Sequence, residues 1–423
     1  MVASKTIKFF LLCATVITIV LSRLNLNSIC IVLLTATWLA EGDYKNKLNL
    51  LRKDKLFIAY VLYLVLQIAG TTLSDDIKVG WKEIESKLGF LAIPLIFCSG
   101  SFTDINLRRR LMFVFSISLT LAAGYCLGAA ALRYFVSSDE TVFFYHQLVS
   151  PLDHHAVYFA VFTFISLVFL MREGKDHPLL KKNKIGYITW IVFYLFLLFL
   201  LSSKLVLFIT VAYILYSLIA SVQSAKAKIW RPVIAGLSIL LIITVISFTN
   251  NPVKKRFVDL KGDIELLSLN KYTDNMYFNG WQLRLLLWRF TFEIIRDKNA
   301  WLTGVGPTND QQALEKKYLD MGLYSGLESR GDRGYLEFNC HNQFLQSSLQ
   351  CGIPGLLVFL IWCVIVLYNV IRKREPVLTW MSIIIFAFCL TESVFERQYG
   401  MVLTTLFPLL YLYTNRPIRG KSQ

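Results

Sequence analysis

Charged residues are scarce in this sequence. Asp, Glu, Lys and Arg make up 17% of the 423 residues, whereas 55% of the residues are hydrophobic and 14% are aromatic. A soluble domain of this length would carry far more charge on its helices. Apolar runs of about 20 residues, long enough to cross a bilayer, recur along almost the whole chain. This composition excludes an ordinary soluble protein and predicts an all-α membrane protein.

Signals for secretion, disulfide bonding and metal binding are also missing. The apolar run at residues 9–21 is followed by no small-x-small cleavage site, so we interpret it as an uncleaved span. The eight cysteines have neither metal-site nor disulfide-framework spacing. Cys340 and Cys351 flank the end of a long polar segment and could meet, but unpaired thiols are the favoured interpretation.

What the sequence does contain is a series of about twelve predicted transmembrane helices. A long segment separates the ninth from the tenth. The chain is therefore divided into a nine-helix region at 1–249, a long loop at 250–342 and a three-helix region at 343–423. The predicted spans are residues 7–21, 26–40, 56–73, 87–100, 111–133, 154–171, 185–201, 204–222, 232–249, 353–371, 377–394 and 400–414.

The net charge of +16 comes from short basic clusters in alternate loops between the spans. This is the distribution of the positive-inside rule, and it argues against nucleic-acid binding. It predicts that both termini are cytoplasmic and that the long loop faces the opposite side. The clusters lie at residues 45–55, 108–110, 172–184, 226–231, 372–374 and 416–421.

The long loop is predicted to be partly helical. Residues 280–296 show an apolar face typical of a helix, with Arg284 and Trp288 one turn apart. Gly304-Val305-Gly306-Pro307 predicts a turn, and a second helix is expected to begin at Thr308, with Gln311 completing a capping box.

His341 is the strongest candidate for chemistry. The string His341-Asn342-Gln343-Phe344-Leu345-Gln346 leads into Gly352-Ile353-Pro354-Gly355 and the next span. It places an imidazole at the outer membrane surface, and histidine is the side chain best suited to accept a proton near neutral pH. The alternative is an interfacial histidine held by a backbone carbonyl.

Two groups of candidates could bind a lipid-linked phosphate. The guanidinium of Arg284 can hold a diphosphate in bidentate fashion, and the indole of Trp288 can stack on a sugar or cover an isoprenoid. Lys204, in the turn Ser202-Ser203-Lys204, is a cation on the side that the positive-inside rule disfavours. The alternatives are a surface arginine and a lysine that reaches the lipid headgroups.

Weaker candidates lie near other span ends. His155, with Tyr158, follows Asp153 and His154, but no third ligand stands at metal spacing, so no metal is assigned. Glu392 lies at the edge of an apolar span and should pair with another group. Arg397 is its nearest candidate partner in the sequence.

These residues resemble the O-antigen ligase family of bacterial envelope glycan transferases. The His341 string, Arg284 with Trp288, the outward Ser-Ser-Lys turn, Gly304-Val305-Gly306 and Glu392-Ser393 all fit its pattern. The resemblance implies a GT-C-like membrane glycosyltransferase in the bacterial inner membrane, with its active site on the periplasmic face. It would move a glycan from undecaprenyl diphosphate to an acceptor hydroxyl, on lipid A–core in ligases or on another glycan in polymerases, without metal or nucleotide.

The resemblance also implies residue roles. His341 would be the general base or would orient the acceptor, and Arg284 would neutralise the departing diphosphate. Asn342, Trp288, Arg397, Glu392, Tyr158 and His155 are the remaining substrate-binding candidates. At the position of Lys204 the family usually has arginine, so this chain keeps the charge but loses the planar fork. A polymerase is the closest alternative, followed by a transporter of lipid-linked sugars and a sensor or scaffold.

Overall fold

The computed structural model describes residues 2–72, 77–100, 102–222, 265–274, 276–327 and 332–414. Within these ranges the chain is helical, and its one strand-like feature is an isolated bridge between Leu327 and Asp332. The expected all-α class is confirmed there. The span predicted at 232–249 lies outside the described residues.

The described α-helices are numbered here in chain order. They are α1 (Val2–Val20), α2 (Leu24–Ala40), α3 (Tyr44–Lys53), α4 (Lys55–Thr72), α5 (Ile77–Lys87), α6 (Gly89–Cys98), α7 (Ile105–Ser137), α8 (Tyr145–Val149), α9 (Ala156–Glu173), α10 (Pro178–Lys182), α11 (Lys184–Leu201), α12 (Lys204–Val222), α13 (Gly280–Asp297), α14 (Asp310–Asp320), α15 (Gln343–Lys373), α16 (Pro376–Cys389) and α17 (Gln398–Tyr413).

Five of these helices are long and apolar enough to cross a membrane. A sixth is possible if α2 and the start of α3, bent by 119°, count as one broken span. The span predicted at 87–100 is represented by the ten-residue α6, preceded by the more polar α5. The count of twelve spans stays a prediction. The five helices are α4, α7, α9, α11 and α15.

Two helices form the centre of the bundle. The side chains of α9 and α17 are buried almost all the way around, with Phe159, Phe162 and Phe407 completely covered. A helix that is apolar on every face is one that other helices surround. The first turns of these two helices meet at the candidate site described below.

A kink in α15 joins the bundle to the segment outside it. Gly352 has φ +62° and ψ −155°, which interrupts the helix and frees the carbonyls of Leu349 and Gln350. These accept hydrogen bonds from the amides of Val305 at 2.7 Å and Gly306 at 3.1 Å. The predicted Gly304–Pro307 turn is thus docked on the kink. A Cβ at Gly304 would lie 2.4 Å from the Gln350 backbone, so only glycine fits.

The segment outside the bundle has a small core of its own. Leu286, Phe290, Leu314 and Tyr318 pack α13 against α14. The helix predicted at 280–296 is confirmed as α13. Cys340, buried in this core, and Cys351 at the kink are both free thiols, as expected.

The predicted capping box at the second helix is wrong. Helix α14 begins at Asp310, and the side chain of its cap residue Asn309 does not bond the first-turn amides. The capping box is instead at α13. There the Asn279 side chain accepts from the amide of Gln282, and the Gln282 side chain accepts from the amide of Asn279.

Candidate active site

His341 adopts a strained backbone conformation at the entrance to α15. Its φ of +46° lies in the left-handed region, which is uncommon for a residue other than glycine. The amide donates to Asn339 Oδ1 at 3.0 Å, and the ring lies 5.4 Å from that of Phe338. The imidazole is therefore held between defined neighbours, with its side chain 14% exposed. Strain of this kind concentrates at functional sites.

One ring nitrogen of His341 is held by a carboxylate. Nδ1 lies 2.8 Å from Glu392 Oε2. In a neutral imidazole with Nδ1–H donating to this carboxylate, Nε2 carries the lone pair and accepts a proton. The geometry is that of the histidine–carboxylate pair found in nucleophilic hydrolases.

Arg284 holds the other oxygen of the same carboxylate. Its Nη2 lies 2.8 Å from Glu392 Oε1, its Nε donates to the Thr391 carbonyl at 2.9 Å, and its Nη1 donates to the Gly280 carbonyl at 2.8 Å. The expectation that Arg397 pairs with Glu392 is therefore wrong. The fold brings a residue 108 positions away into contact instead.

These contacts determine the charge of Glu392. Burial opposes its ionisation, but the hydrogen bond from His341 and the charge of Arg284 outweigh burial and lower the pKa of Glu392 to about 2. The carboxylate is therefore ionised at neutral pH. It can stabilise a positive charge that forms on the imidazole.

Asn342 positions the histidine through the backbone. Its side-chain oxygen accepts from the amides of Phe344 and Leu345 at 2.9 and 3.1 Å, which caps α15. Its Nδ2 donates to the Leu390 carbonyl at 3.3 Å, at the end of α16. The start of α15 is thus tied to the segment that carries Glu392. A substrate contact of Asn342 stays a prediction.

His155 and Tyr158, two predicted substrate-binding residues, lie beside this centre. His155 precedes α9, and burial lowers the pKa of its imidazole to about 3, against the opposing effect of Glu392. Tyr158, 1% exposed, packs its ring 4.8 Å from Phe388 and 5.4 Å from Tyr399. Arg397 is exposed and occupies the cap position of α17.

Lys204 and Trp288 are located by the helices that carry them. Lys204 is the first residue of α12, and the preceding α11 approaches the α8 region through a Phe144–Phe199 contact of 6.5 Å. Trp288 lies one turn beyond Arg284 on α13, and its indole nitrogen is buried without a hydrogen-bond partner in the described part of the chain. Substrate binding by either residue stays a prediction.

A comparison with known families bears on this geometry. Residues 189–360 match the O-antigen ligase family. The resemblance seen in the sequence is confirmed, and this family consists of glycosyltransferase-like enzymes. No curated protein matches the chain. The matched segment contains Lys204, Arg284 and His341, whereas Glu392 and Arg397 lie beyond its end.

A second charged centre, which was not predicted from the sequence, lies next to the His341 site. Lys87 Nζ lies 2.9 Å from Glu396 Oε2 and donates to Gln67 Oε1 at 2.9 Å. Gln350 Nε2 donates to Asp310 Oδ2 at 2.7 Å and to Glu396 Oε2 at 3.0 Å. We call these five residues the glutamine network. It ties α4, α5, α14 and α15 to the turn before α17.

A pattern in the sequence could have indicated the glutamine network. Gln343, Gln346 and Gln350 recur at helical spacing, so they share one face of α15. Gln346 Nε2 adds a 2.5 Å bond to Asp310 Oδ2, and Gln343 Oε1 accepts from the Phe395 amide at 2.7 Å. Three amides on one face of an otherwise apolar helix predict buried polar partners.

Proposed function

We propose that this protein is an inner-membrane glycosyltransferase that moves a glycan from undecaprenyl diphosphate to an acceptor sugar hydroxyl. The preferred acceptor is lipid A–core, as in an O-antigen ligase. The observation that carries the proposal is the chain of contacts from Arg284 through Glu392 to His341. It would supply a positioned base, His341, within the segment that matches the ligase family.

The proposed reaction is a single displacement. Nε2 of His341 accepts the proton of the acceptor hydroxyl while that oxygen forms a bond to the anomeric carbon of the glycan. The bond from this carbon to the diphosphate oxygen breaks, and its electron pair leaves with the diphosphate. Glu392 stabilises the imidazolium, as the carboxylate of a catalytic triad does. With one displacement, the anomeric centre inverts.

An apolar groove supports a lipid-linked donor. It lies between α13, which carries Arg284, and α15, which begins beside His341. Phe292, Trp301 and Ile353 line it, and almost all of its lining is apolar. An isoprenoid chain has the chemistry to fill such a groove.

The organisation around the site is part of the proposal. Twelve spans with a GT-C-like arrangement would divide into regions 1–249, 250–342 and 343–423. Both termini would be cytoplasmic and the site would face the periplasm. Neutralisation of the departing diphosphate by Arg284 stays a prediction, because three of its donors already reach protein acceptors.

The test is turnover by purified protein in lipid nanodiscs supplied with a lipid-diphosphate glycan and lipid A–core. The parent should transfer glycan, and His341→Ala should be slower by about 100-fold or more, the usual size of a general-base contribution. His177→Ala is the matched control, since its ring stacks on Phe113 at 3.7 Å, away from the site. Near-parental turnover by His341→Ala would refute its role as base.

The product separates two functions of the same chemistry. Glycan on lipid A–core supports a ligase, and longer glycan still attached to the carrier supports a polymerase. Movement of intact lipid-linked glycan across the bilayer without turnover would instead support a transporter.

A further inference from the structure

Two central helices begin side by side without side-chain caps. His155 and Arg397 occupy the cap positions of α9 and α17, and neither side chain bonds the first-turn amides. The first turns touch, since the ring of Tyr399 lies 4.6 Å from His154 and 5.4 Å from Tyr158. Each uncapped helix start presents amide donors and a partial positive charge. Two starts whose side chains meet place both partial positive charges near the same region, which favours an anion.

Two buried polar atoms at the same place have no hydrogen-bond partner among the described residues. They are Tyr158 OH and His155 Nδ1. Tyr158 is 1% exposed. Most buried polar atoms in proteins are bonded, so two unbonded ones side by side indicate a ligand with more than one polar atom.

Arg397 adds a cation to this position. The guanidinium of Arg397 makes no hydrogen bond or ion pair with the described part of the chain. Arg397 occupies the cap position of α17, two residues before Tyr399, whose ring contacts those of His154 and Tyr158. Arg284 differs, because three of its donors are already bonded to protein oxygens.

The nearby carboxylate does not prevent an anion from binding. Both oxygens of Glu392 are occupied, Oε1 by Arg284 at 2.8 Å and Oε2 by His341 at 2.8 Å. Its charge is therefore compensated within the protein. Glu392 holds the base, and Arg397 follows it in the short segment between α16 and α17, so the two sites are adjacent.

We propose that Arg397, the paired starts of α9 and α17, and the Tyr158 hydroxyl bind the diphosphate of the lipid carrier. Arg397 is the principal cation of this site, and Arg284 positions Glu392. His155 donates a hydrogen bond without adding charge. The inference rests on the proposed function for the identity of the donor, but not for the presence of an anion site.

The test measures binding without turnover. Full-length protein in nanodiscs of zwitterionic lipid is titrated with farnesyl diphosphate. Arg397→Ala should weaken binding at least tenfold, the size expected for a charge-assisted hydrogen bond of about 1.5–3 kcal/mol. Arg397→Lys should recover part of the loss because it keeps the charge without the fork. Tyr158→Phe should weaken binding by a smaller factor.

Arg296→Ala is the matched control. Arg296 is also an exposed arginine outside the bundle, 68% exposed and paired with Asp297, and its loss should leave binding unchanged. Inorganic pyrophosphate should compete with farnesyl diphosphate, and farnesyl monophosphate should bind at least tenfold more weakly. Equal affinity for the monophosphate would overturn the assignment to a diphosphate. Parental affinity in Arg397→Ala would overturn the site.

The failures of the two proposals are distinguishable. A parent protein that binds farnesyl diphosphate through Arg397 but transfers no glycan would refute the proposed function and leave the anion site standing. A parent protein that transfers glycan while Arg397→Ala binds normally would refute the anion site alone.

Discussion

Two charged centres lie at the start of α15, and they are built differently. The His341 centre uses Arg284 and Glu392, and its arginine is 29% exposed. The glutamine network uses Lys87, 2% exposed, and Asp310, 6% exposed. In the first centre Nδ1 of His341 is held by the Glu392 carboxylate, and Nε2 of the same ring points away from that carboxylate. In the second, glutamine amides bond Asp310 Oδ2 and Glu396 Oε2, and Glu396 Oε1, which has no partner among the described residues, is itself buried.

This difference in exposure fits two different roles, one in the reaction and one in holding the helices together. A base needs an accessible nitrogen, and its partners must hold it without covering it. A buried ion pair that joins several helices needs the opposite, because any unsatisfied group in an apolar interior is costly. We therefore propose that the His341 centre carries catalysis and that the glutamine network attaches the segment outside the bundle to the bundle helices.

The largest effect should come from Glu392→Gln. The amide keeps the shape but removes the charge that stabilises the imidazolium, so the transfer rate should fall by about 10³–10⁴-fold, as in catalytic triads. The folded protein should accumulate normally. Because the pKa of Glu392 is lowered to about 2, the pH profile of the parent should show no loss of activity from its protonation above about pH 4. Turnover measured across pH checks both statements.

Glu337→Gln is the control for this change, since Glu337 is 65% exposed in the same outer segment. A Glu392→Gln protein with parental turnover would remove the carboxylate from the mechanism and, with it, the distinction between the two centres.

Lys87→Met should act on stability. Removing one partner of a buried pair leaves Glu396 and Asp310 uncompensated, at a cost of about 3–5 kcal/mol. The double variant Lys87→Met/Glu396→Gln should recover much of this lost stability, because no unpaired charge remains at Glu396. Unfolding in mixed micelles measures both, with Lys82→Met, an exposed lysine on the same helix, as control. Loss of turnover at unchanged stability would instead give the network a catalytic role.

The smallest effect is a dependence of stability on pH. Burial, with the nearby charge of Glu396, raises the pKa of Asp310 to about 7 from an ordinary 3.8. Between these values the folded state holds a proton that the unfolded state releases, so stability falls as pH rises from about 4 to 7 and levels off above that.

Asp310→Asn should flatten this dependence, because the amide cannot ionise and can replace the protonated carboxyl. Thermal unfolding between pH 4 and 8 provides the measurement. An unchanged slope in the variant would assign the dependence to another group.

The segment outside the bundle, which contains α13 and α14, shows which features a local sequence pattern predicts and which it does not. Helix α13 was predicted to within one residue because its apolar face and its polar face alternate at helical period. The capping box was misplaced because Thr308 and Gln311 fit the pattern, whereas the actual start of α14 depends on how the Gly304 turn docks on α15. The residues that dock are about 45 positions apart in the sequence, so a local sequence pattern does not predict their contact.

The sequence by itself determined the apolar helices, the helix that carries Arg284 and the choice of His341, because each depends on neighbours within a few turns. Only the tertiary structure decided which charges meet. Glu392 was matched to Arg397 by proximity in the chain, but the fold pairs it with Arg284. A carboxylate buried in an apolar bundle binds the cation that packing brings within about 3 Å. That distance is set by helix contacts across the whole chain.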